Sequence, residues 1–91
     1  MPTPAPATSP PADEPLRVLV IDDDQNLAQV IAEGLERKGH AVTVATTGKA
    51  GVAQVEAGQF DVILTDLRMA DLDGLTVVKK VREHLPESDV Y

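Results

Sequence analysis

A short apolar run that ends close to an aspartate constrains the fold of this chain more than any other feature. The run is Val62, Ile63 and Leu64, and Asp66 follows it after one threonine. A continuous run of β-branched and aliphatic residues is typical of a strand that is covered on both faces in a parallel sheet. We therefore predict a buried strand that leaves the core at Asp66.

A second segment has the same form, because residues 17–21, which are apolar after Arg17, are followed directly by Asp22, Asp23 and Asp24. In open α/β sheets, ligands bind beyond the carboxyl ends of the strands. The chain between the two segments has room for a helix, a strand and another helix, so the two acid-bearing strands can be neighbours in a parallel sheet with right-handed crossovers. Two strand ends would then deliver carboxylates to one edge.

Helical periodicity follows the first predicted strand. Asp24 is placed to cap this helix, because a side-chain oxygen at that position accepts a backbone N–H of the first turn. Gly39 follows as the C-cap. Four apolar residues at helical spacing form the face that we expect to pack on the sheet, namely Leu27, Val30, Ile31 and Leu35.

The remaining pattern completes three βα units. Residues 41–45 predict a second strand, and Thr47 caps a weaker helix that Gly51 interrupts and Gly58 ends. A third helix is predicted over about residues 75–85, where Pro86 stops it, and residues 88–91 indicate the start of a fourth strand. The third helix repeats apolar residues at Leu75, Val78, Val81 and Leu85.

The 91 residues have room for one small domain. Residues 1–15 hold six of the seven prolines without periodicity, so we expect a disordered leader, followed by a domain over residues 16–91. The leader lacks the features of a secretory signal, and no stretch approaches the roughly 18 apolar residues of a membrane span. We therefore expect a cytoplasmic protein with no membrane partner. The absence of cysteine excludes disulfides and thiolate metal sites.

Of the net charge of −7, residues 1–15 carry −2 and the rest of the chain −5, and the acidic excess of the predicted domain is concentrated at one edge of the sheet. This concentration favours a cation and disfavours direct contact with nucleic acid, and the two aromatic residues, Phe60 and Tyr91, offer no platform for base stacking. Carboxylates that meet at about 4 Å repel one another by about 4 kcal/mol at an effective dielectric of about 20, which a hard divalent cation such as Mg²⁺ would offset. The acids at this edge are Asp22, Asp23, Asp24, Asp66, Asp71 and Asp73.

The residues at the two strand ends resemble the receiver domains of two-component response regulators. The resemblance runs from Arg17 to the end of the chain. It rests on the Asp22-Asp23 pair, on Asp66, on Met69 and on Asp73-Gly74, whereas Ala70 stands where the family usually has proline. It implies a flavodoxin-like (CheY-like) α/β fold, with a parallel sheet and helices on both faces. Receivers have five βα units in the sheet order 2-1-3-4-5, so about three units and a strand-four stub are expected here, truncated at the C-terminal end.

The resemblance also implies a chemistry. Asp66 would be the phosphoacceptor that forms an acyl phosphate, Asp23 and Asp66 would ligate Mg²⁺ directly, Asp22 would act through water, and the carbonyl of Arg68 would be the backbone ligand. The phosphoryl donor would be a sensor histidine kinase, and the receiver of the signal an output domain or downstream effector protein, possibly in transcription. Beyond its own phosphorylation and dephosphorylation, no enzymatic activity is expected. Two further groups of the family mechanism, a hydroxyl residue after strand four and a lysine after strand five, have no counterpart here.

Simpler interpretations stand beside these. The acids after the first strand could be a surface run that caps a helix, and Asp66 a turn residue at a strand end. Thr65 and Met69 are predicted to serve packing and loop shape, Asp71 to be solvated, and Asp73-Gly74 to shape the turn into the third helix. Two other functions stay open: a non-catalytic interaction fragment, and a haloacid-dehalogenase-like phosphatase that uses Asp22. The haloacid-dehalogenase family expects a threonine two residues after its second acid, whereas Gln25 and Asn26 follow Asp24 here.

We also expect the chain as given to fold poorly alone. A sheet that ended with strand three would expose residues 62–64 as an edge open to strand addition. The first helix would also lose the cover that a fifth helix provides in the receiver family.

Overall fold

The computed structural model describes residues 15–66, 68–69, 71 and 74–91. Strands and helices alternate along them, and the predicted flavodoxin-like α/β fold is confirmed. The described strands form one parallel sheet in the order β2-β1-β3-β4. The elements are β1 (Arg17–Ile21), α1 (Gln25–Arg37), β2 (Ala41–Ala45), α2 (Gly48–Ala57), β3 (Val62–Thr65), α3 (Gly74–His84) and β4 (Asp89–Val90).

Successive side chains of β1 point to opposite faces of the sheet, which divides the core into two layers. On one face Leu19 and Ile21 pack with Ile63 of β3, Val55 of α2 and Val77 of α3. On the other face lie Val18, Val20 and Ala28 of α1. All of these residues are buried, so helices cover both faces of β1, which lies between β2 and β3 in the sheet.

The start of β1 is tied to the residue that precedes β3. The Arg17 and Asp61 backbones are joined by a bond from Asp61 N to Arg17 O of 2.8 Å, and the Asp61 carboxylate accepts the Arg17 backbone N–H at 2.9 Å. The Arg17 guanidinium also lies 3.3 Å from that carboxylate. Hydrogen bonds from the side chain and then the backbone of Arg17 lower the pKa of Asp61. These contacts set the register that brings the far ends of β1 and β3 level with each other.

Both predicted N-caps are present. Asp24 accepts a hydrogen bond from Leu27 N at 3.1 Å, and Thr47 Oγ1 accepts one from Ala50 N at 3.0 Å. Gly39, predicted as the C-cap of α1, instead follows the cap residue Lys38 and takes a φ of 94°, a conformation that favours glycine. Gly58 ends α2 as expected, but Gly51 does not interrupt that helix.

The buried face of α3 differs from the predicted one. Val81 is buried as expected, but Leu75 is 73% exposed, and the helix packs through Gly74 and Val77 instead. Positions 74, 77 and 81 lie on one face of the helix. The predicted apolar face, which starts at position 75, is rotated to one side of that buried face. Small residues let the helix backbone approach the core closely, so the largest apolar side chain of the first turn is left outside.

The apolar face of α1 was predicted correctly only in part. Ile31 and Leu35 pack against the core, whereas Leu27 and Val30 are 47% and 65% exposed. The fully enclosed residues of this helix are Ala28 and Ala32. The helix therefore contacts the sheet through alanines, and the larger residues lie at the margin of the contact.

The predicted start of a fourth strand is confirmed, and β4 pairs with β3, so the exposed edge expected of a sheet that ended with strand three does not form. Tyr91 N donates to Ile63 O at 2.8 Å, and Thr65 N donates to Tyr91 O at 2.9 Å. Residues 89–91 thus occupy the bonding edge of β3, and the outer edge of the described sheet is a strand of only two residues.

Among the described residues, no helix combines the length and the apolar character that crossing a bilayer requires.

Gly51 marks the closest approach of α2 to the sheet. A Cβ atom at this position would lie 2.6 Å from Ile21 Cδ1 and 2.9 Å from Ile21 Cγ1 and Cγ2. Ile21 is fully buried, so its side chain has no space into which to retreat. We predict that Gly51→Ala lowers the free energy of unfolding by about 1–3 kcal/mol, the usual cost of overpacking a core.

Gly34 is the matched control, since it also lies within a helix but an added Cβ would meet nothing within 4 Å. Gly34→Ala should leave stability unchanged or raise it by up to about 1 kcal/mol, because alanine favours the helix. Urea denaturation of both variants measures the difference. Equal stability of the two would show that α2 does not press on Ile21.

Candidate functional site

Three carboxylates meet where β1 and β3 end. Asp22 and Asp23 follow β1, and Asp66 follows β3. One carboxylate oxygen from each lies within 4.8 Å of the other two. Asp22 and Asp66 are half-buried, and Asp23 is exposed. The predicted convergence of these side chains is therefore present in the structure.

Parallel pairing continues for one residue beyond the strands and holds the backbone of this site. Asp66 N donates to Ile21 O at 2.9 Å, which ties the end of β3 to the end of β1. Asp22 N donates to Ala45 O at 3.1 Å, which ties the end of β1 to the end of β2. The two acids thus occupy equivalent positions on adjacent strands.

The two side chains are also fixed in the same way. Asp22 Oδ1 accepts a hydrogen bond from Asp24 N at 2.9 Å, and Asp66 Oδ1 accepts one from Arg68 N at 3.0 Å. Each aspartate therefore closes a turn with the residue two positions later, a property of the short Asp side chain. A carboxylate has about four acceptor positions, so both groups retain acceptors for a ligand.

A groove of about 290 Å³ opens beside the carboxylates. Asp22 and Asp66 line this groove, and most of its other lining residues are apolar, including Leu27 and Ile31. The exposed acid Asp23 lies outside this lining. The acids are therefore reached from solvent along a partly apolar surface.

The donor set suits a hard divalent cation. Converging carboxylate oxygens are the ligands that Mg²⁺ takes in proteins, and the ion keeps several waters that the exposed side of this site could accommodate. Arg68 is held next to Asp66 by its own N–H, which keeps its backbone close to the three acids. The described residues thus fit a magnesium site in both charge and ligand type.

Asp71 is exposed in the loop after β3, as the sequence predicted, but two backbone amides also hold its carboxylate. Its carboxylate accepts hydrogen bonds from Gly48 N at 2.8 Å and Lys49 N at 2.9 Å, the first two amides of α2. No local pattern could have shown this, because the partners lie 23 and 22 residues earlier in the chain. The contact connects the loop after β3 to a second helix.

The other residues singled out in the sequence have modest roles or lie outside the described part. Met69 packs against the core, and Thr65 donates to the carbonyl of Asp66 at 3.2 Å, so both serve packing and loop shape as predicted. Gly74 is buried at the start of α3. The predictions for Ala70 and Asp73 fall on residues outside the described ranges.

The chain belongs to the receiver-domain family of response regulators, because the family model described as "Response regulator receiver domain" matches residues 18–91. The transcriptional regulatory protein TrcR of Mycobacterium tuberculosis is 36% identical over 77 residues, which are 85% of this chain and 28% of that protein. DltR of Streptococcus agalactiae, also a transcriptional regulatory protein, is 35% identical over 68 residues, 75% of this chain and 30% of that protein. The chain thus spans less than a third of these relatives.

Solved structures agree with this assignment. The response regulator TrrA of Thermotoga maritima, in complex with Mg(2+)-BeF, matches with a TM-score of 0.76 and 26% identity over 81% of this chain and 64% of that one. A CheY-like receiver domain protein of Methanospirillum hungatei matches with a TM-score of 0.81 and 27% identity, over 85% of this chain and 62% of that one. The protein is therefore a receiver domain of two-component signalling, a family in which phosphorylation and Mg²⁺ are typical.

The crowding of the carboxylates predicts a measurable cost in the absence of cation. At 4.8 Å two unit charges repel by about 3 kcal/mol with an effective dielectric of about 20. Solvent screens the exposed Asp23, so we expect Asp23→Asn to raise the free energy of unfolding in EDTA by only about 0.5–1 kcal/mol. Glu36→Gln, which removes one exposed charge from α1, is the control and should change it less. A loss of stability in Asp23→Asn would contradict the repulsion.

Proposed function

We propose that Asp66 is the phosphoacceptor of this receiver domain and that Asp22, Asp23, Asp66 and the carbonyl of Arg68 hold Mg²⁺. The observation that carries the proposal is the position of Asp66 at the end of a central strand, with its carboxylate within 4.8 Å of the two acids after β1. The sensor histidine kinase is the proposed donor, and an output domain or effector protein the proposed recipient. The cytoplasm is the proposed location, since a histidine kinase takes its phosphoryl group from ATP.

The proposed reaction is a phosphoryl transfer from nitrogen to oxygen. A carboxylate oxygen of Asp66 forms a bond to the phosphorus of the kinase phosphohistidine while the P–N bond breaks, and the leaving imidazole keeps the electron pair and takes up a proton. The product is an acyl phosphate on Asp66. Bound Mg²⁺ would neutralise the charge of the carboxylates and of the incoming phosphoryl oxygens. The activity is then one of acceptance and loss of a phosphoryl group, rather than turnover of a separate substrate.

The described residues hold Asp66 in a defined position. The bond from Arg68 N holds one oxygen of the Asp66 carboxylate, and the bond from Asp66 N to Ile21 O holds the backbone of that residue. Phosphoryl transfer depends mainly on such positioning and on charge stabilisation. The proposed domain layout is a leader over residues 1–15 and the first part of a receiver domain over residues 16–91.

Phosphorylation of the complete natural protein tests the acceptor. With Mg²⁺ and a small phosphodonor such as acetyl phosphate, we expect a label that is stable in acid, labile in base and lost in Asp66→Asn. Peptide mapping then separates the alternatives. A label on Asp22 would favour the phosphatase alternative, a label that survives Asp66→Asn would refute the proposed acceptor, and no label under any condition would favour an interaction fragment.

Isothermal titration tests the metal site separately. Loss of an outer-shell partner typically costs 10–100-fold in metal affinity, so removal of a direct ligand in Asp23→Ala should weaken Mg²⁺ binding by about 100-fold or more. Glu36→Gln removes a charge from the outer side of α1 and should leave the affinity nearly unchanged. Equal weakening in the two variants would mean that the cation responds to overall charge and not to this site.

A further inference from the structure

The contact between Asp71 and α2 is a long-range bridge within the described part of the chain. Both oxygens of the carboxylate are used, Oδ1 by Gly48 N at 2.8 Å and Oδ2 by Lys49 N at 2.9 Å. Hydrogen bonds to an ionised acceptor are stronger than those between neutral groups. The positive end of the helix dipole adds to the attraction. The loop after β3 is thus held to the first residues of α2, 23 and 22 positions before Asp71 in the chain.

The Asp71 carboxylate supplies hydrogen-bond acceptors to the backbone amides at the start of α2. The first amides of a helix lack partners within the helix. Thr47 already satisfies two later ones, because its Oγ1 accepts from Ala50 N and its carbonyl accepts from Gly51 N at 3.0 Å. The amides of Gly48 and Lys49 find their acceptor in Asp71. The cap of α2 is therefore divided between its own threonine and a residue of the phosphoacceptor loop.

The bridge closes a ring of hydrogen bonds around the site. Asp66 N binds Ile21 O, Asp22 N binds Ala45 O, and the chain from Ala45 leads within three residues to Gly48, which binds Asp71. Asp71 lies five residues after Asp66. Both carboxyl-bearing strand ends and the loop between Asp66 and Asp71 are thus connected through one circuit.

The loop segment inside this circuit carries Arg68. Its N–H binds Asp66 on one side, and Met69 packs into the core on the other. Asp71 is the polar attachment that follows. A backbone carbonyl at position 68 can serve a cation only if the loop is held at a fixed distance from the acids, since Mg²⁺ tolerates little deviation from octahedral geometry.

We infer that Asp71 is a positioning residue, which fixes the phosphoacceptor loop and the Arg68 backbone by binding the first two amides of α2. This inference rests on the proposed role of Asp66 and its cation. Asp71 itself does not act on the phosphoryl group. Its removal should loosen the loop while the three carboxylates at the strand ends remain.

Thr47→Ala is the matched control for Asp71→Ala. Both changes remove hydrogen-bond acceptors from the N-terminal end of α2, but only Asp71→Ala releases the loop after β3. In the complete natural protein we expect both to lower the thermal midpoint. Only Asp71→Ala should weaken Mg²⁺ binding, by about tenfold as for other outer-shell partners, and change the lifetime of the acyl phosphate. Asp71→Asn keeps one acceptor oxygen and should restore part of the affinity.

Equal Mg²⁺ affinity in Asp71→Ala and Thr47→Ala would overturn the inference and reduce Asp71 to a helix cap. Amide hydrogen exchange distinguishes this outcome from failure of the proposed function, since it needs no ligand. We expect faster exchange at Gly48 and Lys49 in Asp71→Ala, together with faster exchange at Arg68 and Met69. If wild-type protein binds no Mg²⁺, the proposed metal site fails, and unchanged exchange at Arg68 and Met69 would refute the positioning role as well.

Discussion

The parallel pairing of β1 with β3 is the interaction on which the rest of the structure depends. Val18, Leu19, Val20 and Ile21 pair in register with Val62, Ile63, Leu64 and Thr65, so the two strands end at the same level. The acids that follow them meet for this reason. A shift in register by one residue would turn each side chain to the opposite face of the sheet and would separate the carboxylates. The apolar core of both layers therefore determines where the charged site lies.

The carboxylates of the site lie directly above the apolar core. Ile21 is fully buried directly before Asp22, and Gly51 of α2 lies against it. Close packing beneath the acids limits how far they can move apart to relieve repulsion. The arrangement is therefore suited to bind a cation, which offsets the repulsion, and to accept a phosphoryl group, whose charge the same cation would share.

Much of this arrangement could be predicted from sequence, because it depends on local patterns. Apolar runs ending in acids identified β1 and β3, and Asp24 and Thr47 identified two helix starts. The buried faces of the helices were harder to predict, since contact is made through small residues such as Ala28 and Gly74, which hydrophobic periodicity weights little. The partners of Asp71 could not be predicted at all. They follow from the tertiary approach of α2 to the loop.

The proposed cation site beside Asp66 is formed by two strand ends and the loop after β3. Crystals of the complete natural protein grown with Mn²⁺, which shares the oxygen ligands and octahedral preference of Mg²⁺, would locate the ion by anomalous scattering. We predict a single strong peak within direct ligand distance, about 2.0–2.3 Å, of carboxylate oxygens of Asp23 and Asp66 and of the Arg68 carbonyl. A peak elsewhere, for example at Asp61 at the other end of β3, or no peak between these three groups, would contradict the proposed cation site.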